Sequence, residues 1–178
     1  RKHLLTGKHQ WAKKTRFTFE YTFVAELLKE YAKKVTCPVT FVSGGDAGVN
    51  QHTIDNNIVA ARQDPMFCLM GGDIAYDNGV SAPTNIQYHR DYSRTMIDTQ
   101  GRLIPMVVCI GNHEVNGGYD KTRADGTFYF PLFDGLYKDT SYATLDFGDY
   151  LSLILLDTGH VAKIAGDQTD LSLIHISE

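Results

Sequence analysis

Three short apolar runs in this chain end the same way, at glycine followed at once by a polar side chain. Residues 38–43 lead into Gly44-Gly45-Asp46, residues 66–70 into Gly71-Gly72-Asp73, and residues 106–110 into Gly111-Asn112-His113-Glu114. Short apolar runs bounded by glycine and proline read as buried strands. The segments between them carry helical spacing. Ile54, Ile58 and Val59 predict a helix over 54–62 with those three side chains inward. Thr84-x-x-Gln87 has the spacing of a capping box, and Tyr88, Tyr92, Met96 and Ile97 continue one face toward Thr99, with Gly101 placed to end the helix. Strand, helix, strand, helix, strand predicts right-handed crossovers on a parallel sheet. Sites in such sheets form outside the carboxyl ends of the strands, so Asp46, Asp73 and Asn112 are expected to meet.

The texture changes after His113. Residues 115–140 are rich in Gly, Asp, Lys and aromatics without a sustained period, and predict a long ordered loop with room for a short helix. Residues 141–156 read as a hairpin continuing the β structure. Leu145 and Phe147 alternate with Thr144 and Asp146, and Gly148-Asp149 is the expected turn. The returning strand ends at Asp157-Thr158-Gly159-His160. At the other end of the chain, Phe23, Leu27, Leu28 and Tyr31 predict a helix over 21–34 behind a basic stretch. That stretch reads as a linker or the end of an upstream domain, with nucleic-acid contact as the alternative. The domain division expected is 1–34 for linker and helix, 35–170 for the body, and 171–178 for a non-native or truncated tail. Gly166 to Asp170 looks like the start of a helix that stops within two turns, which implies a chain cut in mid-domain.

Composition narrows the class. Apolar residues make up 43% of the 178, enough for a real core, and nothing is repetitive. No run is long and apolar enough to span a bilayer. Cys37, Cys68 and Cys109 lie in or beside expected strands without a C-x-x-C pair, and read as buried thiols. The net charge of -4 hides an asymmetry, because residues 1–34 hold nine Lys/Arg against three Glu while the remainder is acidic. An acidic body argues against general polyanion binding and suits a site that collects multivalent cations.

Carboxylates and an amide oxygen are ligands for hard cations. A carboxylate near the sheet centre can bridge two ions about 3.5–4 Å apart. Asp73, after the middle strand, is the candidate bridge, with Asp46 on one ion and Asn112 on the other. Asp46 or Asp73 alone would serve equally as a turn or helix cap. His113 adds a group that changes charge near neutral pH and can hydrogen-bond a phosphate or protonate a leaving alkoxide. Glu114 is expected to orient His113. Gly48 would let the backbone pass close to whatever Asp46 binds. Tyr76 is either a packed aromatic or a phenolate ligand for a strong Lewis acid.

Taken together, Gly45-Asp46-Ala47-Gly48, Gly72-Asp73-Ile74-Ala75-Tyr76 and Gly111-Asn112-His113-Glu114 resemble the first three blocks of the calcineurin-like metallophosphoesterases. Glycine at 48, in place of that superfamily's usual histidine, and tyrosine three residues after Asp73 resemble its purple acid phosphatase branch. The likeness covers roughly residues 38–170. It implies a layered α/β fold, a metallophosphoesterase-like β-sandwich with flanking helices, incomplete at its C-terminus. It implies Fe(III) held by Asp46, Asp73 and Tyr76, and Zn, Mn or Fe(II) held by Asp73, Asn112 and later histidines that this sequence lacks. His160, in Gly-His-Val-Ala, does not match the family's terminal histidine block and is expected in the pocket wall. The implied reaction is hydrolysis of small phosphate monoesters, with His113 catalytic, in a secreted or periplasmic parent carrying an upstream β-sandwich domain. This piece by itself is then expected to be weak or inactive. The alternatives are a phosphodiesterase for small diesters or cyclic nucleotides, and a non-enzymatic interaction domain.

Overall fold

The computed structural model describes residues 39–148 and 151–162. The expected helix over 21–34, the basic linker, Cys37, the turn residue Asp149 and everything from residue 163 onward, tail included, lie outside the described residues. Within them the protein is mixed α/β, with a parallel three-stranded sheet, a two-stranded antiparallel pair and three α-helices.

The parallel sheet has strands β1 (Phe41–Gly44), β2 (Phe67–Met70) and β3 (Met106–Val108), in the spatial order β1-β2-β3. The registers run from Phe41 opposite Phe67 to Gly44 opposite Met70, and from Cys68 opposite Met106 to Met70 opposite Val108. Parallel pairing brings all three glycine–polar ends to one edge, with the end of β2 in the middle. β3 is shorter than the apolar run 106–110. Cys109 N–H still reaches the Met70 carbonyl at 2.8 Å, but the Val108 carbonyl accepts from the hydroxyls of Tyr129 and Tyr137 rather than from a strand.

Helix α1 (Gln51–Ala61) starts at Asn50, whose Oδ1 accepts from Thr53 N–H at 3.0 Å. Its inner face corrects the sequence expectation. Thr53 and Ala61 are the buried residues, Ile54 is half-buried, and Ile58 and Val59 are exposed at 37% and 59%. The helical period holds but its phase is shifted, because small and polar side chains line the approach to the next helix, where Asn57 Nδ2 donates to Thr95 Oγ1 at 3.2 Å. Helix α2 (Ala82–Thr95) buries Tyr88 and Tyr92, as the spacing predicts. Its cap is Ser81 rather than Thr84, since Ser81 Oγ accepts from Thr84 N–H and Pro occupies the first turn. The helix ends before Gly101 because the Asp98 carboxylate gathers the N–H groups of Gln100 and Arg102 into a tight turn.

The 115–140 segment carries the short helix its texture allows. It holds a short 3₁₀ turn, Arg123–Asp125, and helix α3 (Tyr129–Tyr137), which buries Tyr129, Phe130, Phe133 and Tyr137. The hairpin forms from β4 (Ala143–Phe147) and β5 (Leu151–Leu155), antiparallel, with Leu145 and Phe147 buried. Phe147 pairs with Leu151, so three residues connect the strands rather than the two-residue turn expected. The hairpin is a separate sheet and does not extend β1-β2-β3. It joins the core through aromatic rings. Phe41 stacks on its cross-strand partner Phe67 at 5.0 Å, and Phe67 stacks in turn on Phe147 at 4.9 Å. Cys68 and Cys109 are free thiols in or beside the core, as expected.

Candidate metal centre

The loops after β1 and β2 are zipped together by backbone. Asp46, Ala47 and Gly48 N–H donate in succession to the carbonyls of Gly72, Asp73 and Ile74, at 3.2, 3.0 and 2.9 Å. This pairing holds Asp46 and Asp73 in fixed relation. It requires unusual backbone, since Asp46, Asp73, Tyr76 and Asn78 all have left-handed φ between 51° and 57°. Such conformations are uncommon for any side-chain-bearing residue, and exceptional for a bulky one such as tyrosine.

The expected site residues form one connected chain. The Tyr76 hydroxyl donates to Asp46 Oδ1. The Tyr76 ring lies 4.3 Å from the His113 ring, centroid to centroid. His113 N–H donates to Asp73 Oδ1 at 2.8 Å, which ties the end of β3 to the end of β2. Asn112 opens the 3₁₀ turn Asn112–Glu114 next to this bond. Gly111 has no room for a side chain, because a Cβ there would lie 2.7 Å from Asp73 N and 2.8 Å from Glu114 Oε2. The glycine before Asn112 is therefore a matter of space. At Gly48 it is backbone freedom, with φ at +73° beside the Tyr76 ring.

Glu114 does something other than orient His113, which corrects the sequence reading. Its carboxylate is buried and accepts three backbone N–H groups: Gly111 and Asp73 on Oε2, both at 2.7 Å, and Ile74 on Oε1 at 2.8 Å. Burial raises its pKa, with the three donors pulling the other way. Glu114 is thus a staple between the ends of β2 and β3. The partner of His113 is Asn78, whose Oδ1 lies 2.6 Å from Nδ1. In the sequence, Asn78-Gly79 is only a turn signal.

His160 stands apart from this chain of contacts. It is buried, with Nδ1 2.7 Å from the Gly118 carbonyl and its ring 4.7 Å from that of Tyr119. It backs the loop after Glu114, which is also pinned by Asp120 and Lys121 N–H donating to the carbonyls of Gly159 and His160. Asp157, buried, gathers the N–H groups of Gly159, His160, Val161 and Ala162 and the Ser141 hydroxyl. Burial works against its charge, but these donors hold its carboxyl below the usual range. The strand-end signal at Asp157 therefore belongs to a loop anchor.

The hydrogen bond to Asp46 pushes the Tyr76 hydroxyl up to about 12, helped by burial and by the charges of Asp46, Asp73 and Glu114. A phenol and a carboxylate sharing one proton are a pair that a hard cation can take over by displacing that proton. Among the described residues no three His, Cys, Asp or Glu side chains group as a metal site. The donors gathered here are two carboxylates and a phenol, with Asn112 beside them at the start of the Asn112–Glu114 turn. No helix among the described residues is long and apolar enough to cross a membrane.

What fold and site define together is a mixed α/β protein with a polar cluster at one edge of its parallel sheet. Set against known proteins, the chain matches no family model and no curated protein.

Proposed function

We propose that this cluster is the strand-end half of a dinuclear centre that hydrolyses small phosphate monoesters, in a layered fold of the metallophosphoesterase kind. The observation that carries the reading is the contact chain Asp46–Tyr76–His113–Asp73, which links residues from three strand ends. The donor set fits the group. Asp46, Asp73 and Tyr76 would hold Fe(III), and Asp73 with Asn112 would hold Zn, Mn or Fe(II), with Asp73 the bridge. When bound, the metal pair supplies Lewis acidity and an activated water. The chain's own residues do the rest. Glu114 fixes the spacing of the ends of β2 and β3, Tyr76 supports the His113 ring, and His113 stands where a proton can be given to a leaving oxygen.

The test is elemental analysis of the iron- and zinc-loaded protein and three variants. Asp73→Asn is expected to lose both ions and Asn112→Ala only one, while Tyr76→Phe loses any visible charge-transfer colour and keeps its fold. Equal loss of a single ion in the first two variants would take Asp73 out of the bridge. Paired assays on an aryl monoester and a diester then decide the substrate class.

A further inference from the structure

The loop after Glu114 is held in place without help from the Tyr119 side chain. Asp120 and Lys121 N–H donate to the carbonyls of Gly159 and His160 at 3.0 and 2.8 Å, and His160 Nδ1 lies 2.7 Å from the Gly118 carbonyl. The Lys121 side chain fills the hollow at Gly117, where a Cβ would lie 2.7 Å from its Cε and 2.8 Å from its Nζ. Tyr119 itself is 55% exposed. Its ring meets the buried ring of His160, with centroids 4.7 Å apart and planes tilted by 34°. That imidazole is fixed from both nitrogens, since Nε2 lies 3.2 Å from Thr158 Oγ1. Gly118 sets the loop against the polar cluster: a Cβ there would lie 3.8 Å from Asn112 Cβ. Tyr119 is the next residue, its Cα about 3.8 Å from that of Gly118.

We infer that Tyr119, backed by His160, is the specificity-determining residue for the leaving group, and that this group is a planar aromatic ring, so that the substrates are aryl phosphate monoesters. The inference rests on the reading of the cluster as a phosphatase centre with Asn112 among its ligands. A phosphate seated at the strand ends has its organic group pointing away from them, because the carboxylates of Asp46 and Asp73 offer an apolar ring nothing. Two exposed aromatic rings border the cluster. Tyr76 is committed, its hydroxyl to Asp46 and its ring to His113. Tyr119, on the Asn112 side, has ring surface to spare. Aromatic rings pair offset or tilted with centroids about 4.5–7 Å apart, and the flat face adds attraction beyond the apolar area it buries. His160 holds the Tyr119 ring from behind, so little freedom is lost when a second ring lies on it. A saturated ring of the same size covers the same area but lacks the π face, and gains less.

The experiment titrates the zinc-loaded protein with phenylphosphonate and cyclohexylphosphonate, ligands of like size in which carbon replaces the ester oxygen and hydrolysis is blocked. Inorganic phosphate, which has no leaving group, is the reference. Calorimetry gives the dissociation constants, and the ring protons of Tyr119, assigned by their loss in Tyr119→Phe, report contact. Phenylphosphonate is expected to bind about fivefold more tightly than cyclohexylphosphonate and to move the Tyr119 ring protons upfield. Tyr119→Leu keeps an apolar side chain without a π face and should bring the two constants together, while Tyr119→Phe should keep them apart. Equal constants in the unchanged protein, or a preference that survives Tyr119→Leu, would overturn the inference and leave the phosphatase reading standing, since phosphate still binds. Binding of none of the three ligands would remove that reading, and the role of Tyr119 with it.

Discussion

His89, on α2, turns its Nε2 into the interior without a hydrogen-bond partner among the described residues, between the rings of Tyr88 and Phe133. Burial lowers its pKa to about 4, against an ordinary value of 6.5. The folded state therefore binds its proton more weakly than the unfolded one. The stability this neutral ring contributes is present above 6.5, and it falls as pH drops toward 4. Between about pH 7.5 and 5 the loss attributable to His89 is on the order of 2 kcal/mol. Urea denaturation at the two pH values should show it, and His89→Leu should flatten the difference. At this scale the sequence was informative where a residue follows a glycine at a strand end, as Asp46, Asp73 and Asn112 do. It was silent on Asn78 and on the reach of Glu114 to Asp73 and Ile74, because no spacing encodes a contact across 35 or 40 residues.

Elements were legible as short apolar runs, although β1, expected buried, is largely exposed while β2 and β3 are buried. β1 to β3 are short apolar runs, and their order and parallel pairing follow from the alternation with helices. For α1 the apolar residues mark the wrong phase, because Asn57 and Thr53 face inward and the aliphatics do not. What joins these elements at the site is Glu114. Replacing it with Gln leaves one acceptor for three N–H donors and turns an amide N–H₂ toward one of them. Unsatisfied buried donors cost about 1–3 kcal/mol each, so Glu114→Gln should destabilise by about 3 kcal/mol. Hydrogen exchange should quicken first at the amides of Gly111, Asp73 and Ile74. Unchanged protection there would mean the staple is not what holds β2 and β3 together at this end.

For the molecule as a whole, the hairpin and the parallel sheet are bound by the stack Phe41–Phe67–Phe147. Phe67 and Phe147 are both fully buried. Phe147→Ala should cost about 3–5 kcal/mol and open a cavity against Phe67. A double-mutant cycle with Phe67→Ala should then show coupling, since the two rings touch. Additive effects would mean that the hairpin is held elsewhere. None of this stacking is readable from local pattern. The alternation in 143–147 says that Phe147 faces inward but not what it meets, and the hairpin continues the β structure as a sheet of its own.

The left-handed backbone at Asp46, Tyr76 and Asn78 sets the ease of folding against the polar cluster. At each of these positions glycine would relax the chain, and at each the side chain serves only the polar cluster. A lineage of this sequence screened for heat resistance alone would therefore lose the polar cluster before its fold, drifting to glycine at 46, 76 and 78 while the core stayed as it is. Side chains that persist at those positions in any descendant record selection for something other than stability.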